Sequence, residues 1–146
     1  MDPGPEYESR LGNATVRMNG RMVGVAAGQI LERGMLVTLD GPAVPAGPGA
    51  VRGGVGVLEN GSDNRGGGDG DREVEVLGSG TVICVRAGAD IRTDQTRLKA
   101  WKGGTVAPMG DGEDAGLWVA SVRGNTQVGG RMSAVQAGGD VDVIMV

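Results

Sequence analysis

The sequence predicts an all-β protein, mainly antiparallel, built as a small barrel or sandwich with long glycine-rich loops and at most short helices. Three observations support this fold class. Valine supplies 20 of the 146 residues, and its β-branched side chain packs better on a pleated sheet than in a helix. Short apolar runs alternate with turn residues along the chain. The 30 glycines cluster between those runs without a period, as turn residues do.

The composition favours one folded domain. Leu, Ile and Val together make up about 22% of the chain, and the net charge is only −4, so enough apolar surface is present to offset chain entropy. The core must be unusual, because Phe is absent, Tyr occurs once and Trp twice. We therefore assign residues 20–146 to a single β-rich domain.

The N-terminal residues 1–19 are predicted to form an extended arm. Pro3, Gly4 and Pro5 open the segment, and no hydrophobic period is sustained along it. A frayed terminus is the alternative interpretation. Weak alternation at residues 14–18 is compatible with a first strand.

The first half of the domain contains two predicted strands. A turn or single helical coil at residues 29–33 leads into a strand at 35–39, whose nearly continuous apolar run indicates cover on both faces. Three prolines in residues 41–54 indicate a surface loop. Residues 54–59 return to strand, and Asn60-Gly61 ends it, since both residues tolerate positive φ.

Period-two alternation next predicts a hairpin. Charged and apolar residues alternate at 72–77, Gly78-Ser79-Gly80 forms the turn, and residues 81–86 run back.

The last part of the chain is predicted to return to the sheet. A corner at 87–91 precedes an apolar segment at 117–122, and residues 131–137, which lie between two Gly-Gly pairs, have room for one or two helical turns. The apolar end at 141–146 should pair inside the sheet or lie in a subunit contact.

The order of these pieces resembles a known family. They are AAGQILERGMLVTLD at 26–40, GVGVLENG at 54–61, the predicted hairpin at 71–85, the Ala-Gly corner at 87–91 and the final valine-rich strand at 141–146. This layout resembles the capsid cement, or head decoration, proteins of tailed phages and related archaeal viruses.

The resemblance implies a virion structural protein, made in the host cytoplasm, that sits on the outer surface of an icosahedral head. Such a protein binds the major capsid protein and stabilises contacts between its subunits. The family also implies a homotrimer, and a loop-rich, valine-based core independently favours self-association. For capsid contact we single out Tyr7, Arg10 and Arg17, which the sequence places where an arm could reach outward.

Catalysis, cofactors and metals are not expected. The chain has no histidine, and its single cysteine, Cys84, lies in an apolar run typical of a buried, inert thiol. Acidic residues fall mostly in glycine-rich loops. Asp63, Asp69 and Asp71 do not have the spacing of an EF-hand, so a solvated loop is favoured over a calcium site. We predict that the protein is not an enzyme.

Nucleic acid and membrane are excluded as partners. Fourteen basic residues face eighteen acidic ones, without a basic cluster. No apolar run approaches the ~20 residues of a membrane span, and the acidic, proline-containing N-terminus lacks the pattern of a signal peptide.

Two other functions stay open. One is a carbohydrate-binding β module on a virion or cell surface, for which Trp101 and Trp118 would be the available stacking platforms. The other is an enzyme accessory domain of the β-clip kind, suggested by the corner at 87–91.

Overall fold

The computed structural model describes residues 15–124 and 134–146. Across these ranges the chain forms eleven short strands and two single-turn 3₁₀ helices, and all strand pairs are antiparallel. The predicted all-β fold class is confirmed. Within the described ranges, no helix is long and apolar enough to cross a membrane.

The strands follow one another at intervals set by glycine-rich turns. They are β1 (Arg21–Gly24), β2 (Ile30–Leu31), β3 (Leu36–Thr38), β4 (Val55–Leu58), β5 (Ser62–Asp63), β6 (Glu73–Leu77), β7 (Val82–Arg86), β8 (Arg97–Trp101), β9 (Thr105–Pro108), β10 (Ala120–Gly124) and β11 (Asp140–Met145). The 3₁₀ helices are Lys102–Gly104 and Ala115–Leu117.

The strands assemble into two larger sheets and a small ribbon. One sheet has four strands in the order β1-β6-β4-β3, and the other has five in the order β7-β11-β10-β8-β9. Strands β2 and β5 pair separately. Consecutive strands are often not neighbours, so most of the sheet contacts join distant parts of the sequence.

The main core lies between the two larger sheets. Leu36 and Val57 of the four-stranded sheet belong to the same buried cluster as Ile83, Leu98 and Val143 of the five-stranded sheet. Valine dominates this cluster, as the composition predicts. The packing is that of two sheets face to face.

A second, smaller core covers the other face of the four-stranded sheet. It contains Val37, Leu58 and Val76. Strand β4 is therefore buried on both faces. Gly56, in its middle, has no room for a side chain, because a Cβ atom there would collide with the side chain of Val76.

Two predicted strands are confirmed together with their environments. Leu36 and Val37 of β3 are both fully buried, one in each core, as the continuous apolar run predicts. Strand β11 lies between β7 and β10, with Val141, Val143 and Met145 buried. The apolar C-terminal segment is therefore an interior strand of the sheet.

The predicted hairpin at 72–86 is wrong. Both of its strands exist, but β6 belongs to the four-stranded sheet and β7 to the five-stranded sheet. The turn between them, with Gly80 at φ 89°, carries the chain from one sheet to the other. Alternation specifies which side chains face the core, not which strand is the partner.

The segment at 41–54 is not a simple surface loop. Ala43 and Ala46 are fully buried. The Ala46 N–H donates to the carbonyl of Leu36, and Pro45 forms a β-bridge with Val37. The segment thus covers the edge of β3, where proline is tolerated and an unpaired strand would otherwise be exposed.

Two smaller assignments also differ. Residues 29–33, predicted as a turn or helical coil, contain strand β2. Helical turns are expected at 131–137, of which 131–133 lie outside the described residues. The described part is not helical, and Val135 forms a β-bridge with Ile91.

Candidate functional site

Of the three residues predicted to contact a capsid, one is described. Tyr7 and Arg10 lie outside the described residues. Arg17 forms ion pairs with Glu59, at 2.9 Å from Nε to Oε1, and with Glu75. Glu75 lies in β6, and Glu59 directly follows β4. Both strands belong to the four-stranded sheet.

The neighbours of Arg17 attach to the other sheet. Val16 exchanges backbone hydrogen bonds with Val82 of β7, at 2.8 and 3.0 Å. The backbone N–H of Met18 donates to the hydroxyl of Thr81. The described end of the predicted arm therefore joins both sheets. Whether Arg17, half-exposed, also contacts a partner stays a prediction.

The outer face of the five-stranded sheet carries a row of five aligned side chains. Val16 lies opposite Val82, Val82 opposite Ile144, Ile144 opposite Ser121 and Ser121 opposite Arg97. Directly opposed residues of antiparallel strands point to the same face. With strands about 4.8 Å apart, this outer row spans roughly 19 Å.

The neighbouring positions confirm the direction of the row. Ile83, Val143, Ala120 and Leu98 each adjoin a member of the row in sequence, and all are buried in the main core. The row therefore faces away from that core. Its apolar end is open, since Val16 is 50% exposed and Ile144 38% exposed.

Trp118 extends the polar end of the row. Its indole N–H donates to the carbonyl of Ala120 at 3.0 Å and to the hydroxyl of Ser121 at 3.1 Å, which fixes the ring orientation. The guanidinium carbons of Arg97 and Arg52 lie 4.9 and 5.2 Å from the ring centroid. Both are at cation–π distance. We call these three residues the Trp118 stack.

Arg52 is held at the ring by a second contact. Its side chain donates to the carbonyl of Ala115 at 2.6 Å, and its backbone N–H donates to the carbonyl of Gly116 at 2.7 Å. The segment at 41–54 is thereby fastened to the 3₁₀ helix just before Trp118.

Trp101 is also covered by cations. The Nζ atoms of Lys99 and Lys102 lie 5.2 and 5.6 Å from its ring centroid. Because cations lie over both indoles, less ring face is open for the sugar stacking that a carbohydrate-binding module would need.

Asp142 is buried beside the outer row. It is 4% exposed, and its Oδ2 lies 3.4 Å from Nη1 of Arg123. Within the part of the chain that the structure describes, Oδ1 has no hydrogen-bond partner. Burial raises the pKa of this carboxyl group, and Arg123 partly opposes the increase.

Cys84 lies directly opposite Asp142 on β7. It is partly exposed on the outer face and does not belong to the core. The expected strand interior is confirmed, but the thiol is only partly buried, because the apolar run around Cys84 contains one outward-facing position in every two.

The acidic loops are organised by hydrogen bonds. Buried Asn64 donates its side-chain amide to the carbonyls of Val25, Ala26 and Gly68, at 2.9 to 3.1 Å. Asp69 accepts from the backbone N–H of Ala27 at 2.8 Å. The loop after β5 is thus ordered against the second core rather than freely solvated.

The second acidic loop is held in the same way. Glu113 accepts from Lys99 at 2.8 Å and from the backbone N–H of Gly110 at 2.6 Å. These hydrogen bonds, that from Lys99 first, lower the pKa of Glu113. Over residues 15–124 and 134–146, no group of three or more acidic or cysteine side chains is arranged to hold a metal ion.

Comparison with solved structures identifies a protein of the same fold. The chain is similar to the N base of the head fiber protein gp8.5 of bacteriophage phi29, with a TM-score of 0.58 and 17% sequence identity. The match covers 88% of this chain and 95% of that one. No protein-family model and no curated protein matches the sequence.

The sequence pattern did not reveal the Trp118 stack. Trp118 was noted as a possible sugar platform, but Arg52 lies in the proline-rich segment and Arg97 in a polar stretch. They meet through the pairing of β8 with β10 and through the contact with Ala115. No local sequence signal specifies either contact.

Proposed function

We propose that this protein is a virion structural protein that decorates the head of a tailed phage or related virus. It binds the outer capsid surface and stabilises contacts between subunits of the major capsid protein. The observation that carries the proposal is the shared fold with the base of a phage head fiber, over nearly the whole of both chains.

Two further features support an adhesive, non-enzymatic role. The fold is a rigid pair of sheets with a large continuous core. The titratable groups described above serve as internal hydrogen-bond and ion-pair partners of loops. Rigid sheets present a fixed footprint, which reduces the entropy lost on binding.

The proposed arrangement on the capsid is a homotrimer whose arms reach the neighbouring subunits. Tyr7 and Arg10 are the proposed arm contacts. Arg17 is proposed as a contact at the base of the arm, where its ion pairs with Glu59 and Glu75 also attach that base to the body.

The direct test is binding to capsids assembled from the major capsid protein of the same genome. Purified protein is added in increasing amounts, and bound protein is measured after sedimentation of the capsids. We expect saturable binding with a fixed ratio to capsid subunits, and a higher temperature of capsid disruption when sites are full. Absence of binding to mature capsids with vacant sites would refute the proposal.

The arm is tested in the same assay with a Tyr7→Ala/Arg10→Ala double variant. Reduced occupancy at unchanged thermal stability of the free protein is the expected result. Unchanged occupancy would show that the arm does not contribute to capsid binding, and that the domain at 20–146 is the binding element.

A further inference from the structure

We propose that the outer row and the Trp118 stack form one docking surface for an extended, acidic segment of a protein partner. The surface is defined by Val16, Val82, Ile144 and Ser121 of the row, together with Arg97, Trp118 and Arg52. That the partner belongs to the virus shell rests on the proposed function, whereas the chemistry of the segment follows from the surface itself.

The surface is continuous from its apolar end to its cationic end. Val16 and Ile144 are exposed on either side of Val82, which is itself buried at 8% exposure between them. Ser121 follows in register and holds the indole N–H of Trp118. The row of roughly 19 Å corresponds to about six residues of an extended chain.

The cationic end attracts a carboxylate. Arg52 and Arg97 both lie over one ring, and neither forms an ion pair with the residues that the structure describes. Two positive charges without an ion-pair partner among the described residues thus lie over one ring, on a protein whose net charge is −4. Stacking uses the faces of the guanidinium groups and leaves N–H donors at their edges for bidentate carboxylate binding.

Three of the carboxylates near the stack have other hydrogen-bond partners. Glu113 pairs with Lys99, and Asp94 pairs with Arg92. Asp114 accepts from the backbone N–H of Gly116 at 2.8 Å. Within residues 15–124 and 134–146 no carboxylate forms an ion pair with Arg52 or Arg97, and the proposal assigns the anion that completes the stack to a partner protein.

An acidic protein segment fits this surface better than other anions. A nucleic acid would require a longer track of cations, and it would not cover Val16 and Ile144. An aliphatic side chain at one end and a carboxylate at the other match both ends of the surface. Trp and Arg are also the residues most enriched in the energetic centres of protein interfaces.

The test uses the hexapeptide acetyl-Val-Ser-Val-Ser-Glu-Glu-amide and its reverse sequence, since the direction of the segment is free. In matched peptides Gln replaces Glu. Binding to the full chain is followed by the NMR signal of the Trp118 indole N–H, which a Trp101→Phe variant distinguishes from that of Trp101. We expect one Glu peptide to shift the signal saturably with a Kd near 1 mM, and its Gln counterpart to bind about tenfold more weakly.

Charge variants locate the site. Arg52→Gln and Arg97→Gln should each weaken binding of the Glu peptide about tenfold. Ile144→Ser should weaken the binding of both the Glu peptide and its Gln counterpart. Arg21→Gln is the matched control, because Arg21 is exposed on the other large sheet and carries the same charge. Thermal unfolding of each variant shows that it is folded.

The inference is overturned if neither Glu peptide shifts the Trp118 signal, or if Arg21→Gln weakens binding as much as the stack variants do. The capsid assay separates this result from the proposed function. Capsid binding without peptide binding would refute the docking surface but not the decoration role. Peptide binding at Trp118 without capsid binding would support the docking surface but refute the virus shell as its partner.

Discussion

The carboxyl group of Asp142 makes a residue-scale prediction about pH. Its pKa is raised by burial, so between the ordinary pKa of aspartic acid and the raised one the folded protein binds more protons than the unfolded chain. Stability therefore falls as pH rises through that window. Above the raised pKa the destabilisation persists, because the ionised group is buried and its Oδ1 has no hydrogen-bond partner among the described residues.

We predict that Asp142→Asn stabilises the protein at pH 7 by about 1 kcal/mol, the lower end of the desolvation cost of an unsatisfied buried group. The gain should shrink towards about pH 4, where the wild-type carboxyl becomes protonated in both states. Urea unfolding at several pH values measures it. Asp140→Asn, an exposed position on the same face of β11, is the matched control. A variant that is less stable at pH 7 would contradict the argument.

At the scale of single elements, the sequence predicted strands better than their partners. The alternation in β6 and the continuous apolar run in β3 follow from which faces are buried, and both were read correctly. Pairing depends on contacts between distant segments. The turn at Gly78–Gly80 is equally compatible with a hairpin and with a change of sheet, so the wrong partner was chosen.

The loop after β5 was misread for a related reason. Its composition is that of a solvated, flexible segment, but one buried side chain orders it. Asn64 is 2% exposed and contacts two carbonyls before β2 and one within its own loop. An isolated asparagine among glycines and aspartates gives no indication that it will be buried.

We predict that Asn64→Ala lowers the free energy of unfolding by about 2 to 3 kcal/mol, because the buried carbonyl of Val25 and the partly buried carbonyls of Ala26 and Gly68 lose their donor. Urea unfolding monitored by tryptophan fluorescence measures the loss. Asn60→Ala is the control, since Asn60 is exposed in the preceding turn. It should change stability by less than about 0.5 kcal/mol. Equal losses in the two variants would show that the amide hydrogen bonds do not order the loop.

For the whole molecule, the order of its pieces was more informative than any single motif. The valine-rich composition was enough to predict a β-rich fold, whereas a virion role was implied only by the resemblance that the order of the pieces carries. The Trp118 stack and the outer row could not be predicted, because both require the pairing of β7, β11, β10 and β8 across the sheet. The fold class was therefore predictable from local sequence patterns, whereas the surface features were not, because they depend on long-range strand pairing.

The quaternary structure gives the last prediction. Outside the outer row, Met22, Ile30 and Val51 are large apolar side chains that are 45 to 59% exposed. Self-association would bury such groups and stabilise the folded form by mass action.

We expect sedimentation equilibrium to give three times the chain mass of 14.7 kDa, and the melting temperature to rise with protein concentration. Met22→Ser should weaken association if Met22 lies in the contact, with Val16→Ser on the opposite sheet as the control. A mass of one chain at every concentration, with a constant melting temperature, would refute the trimer.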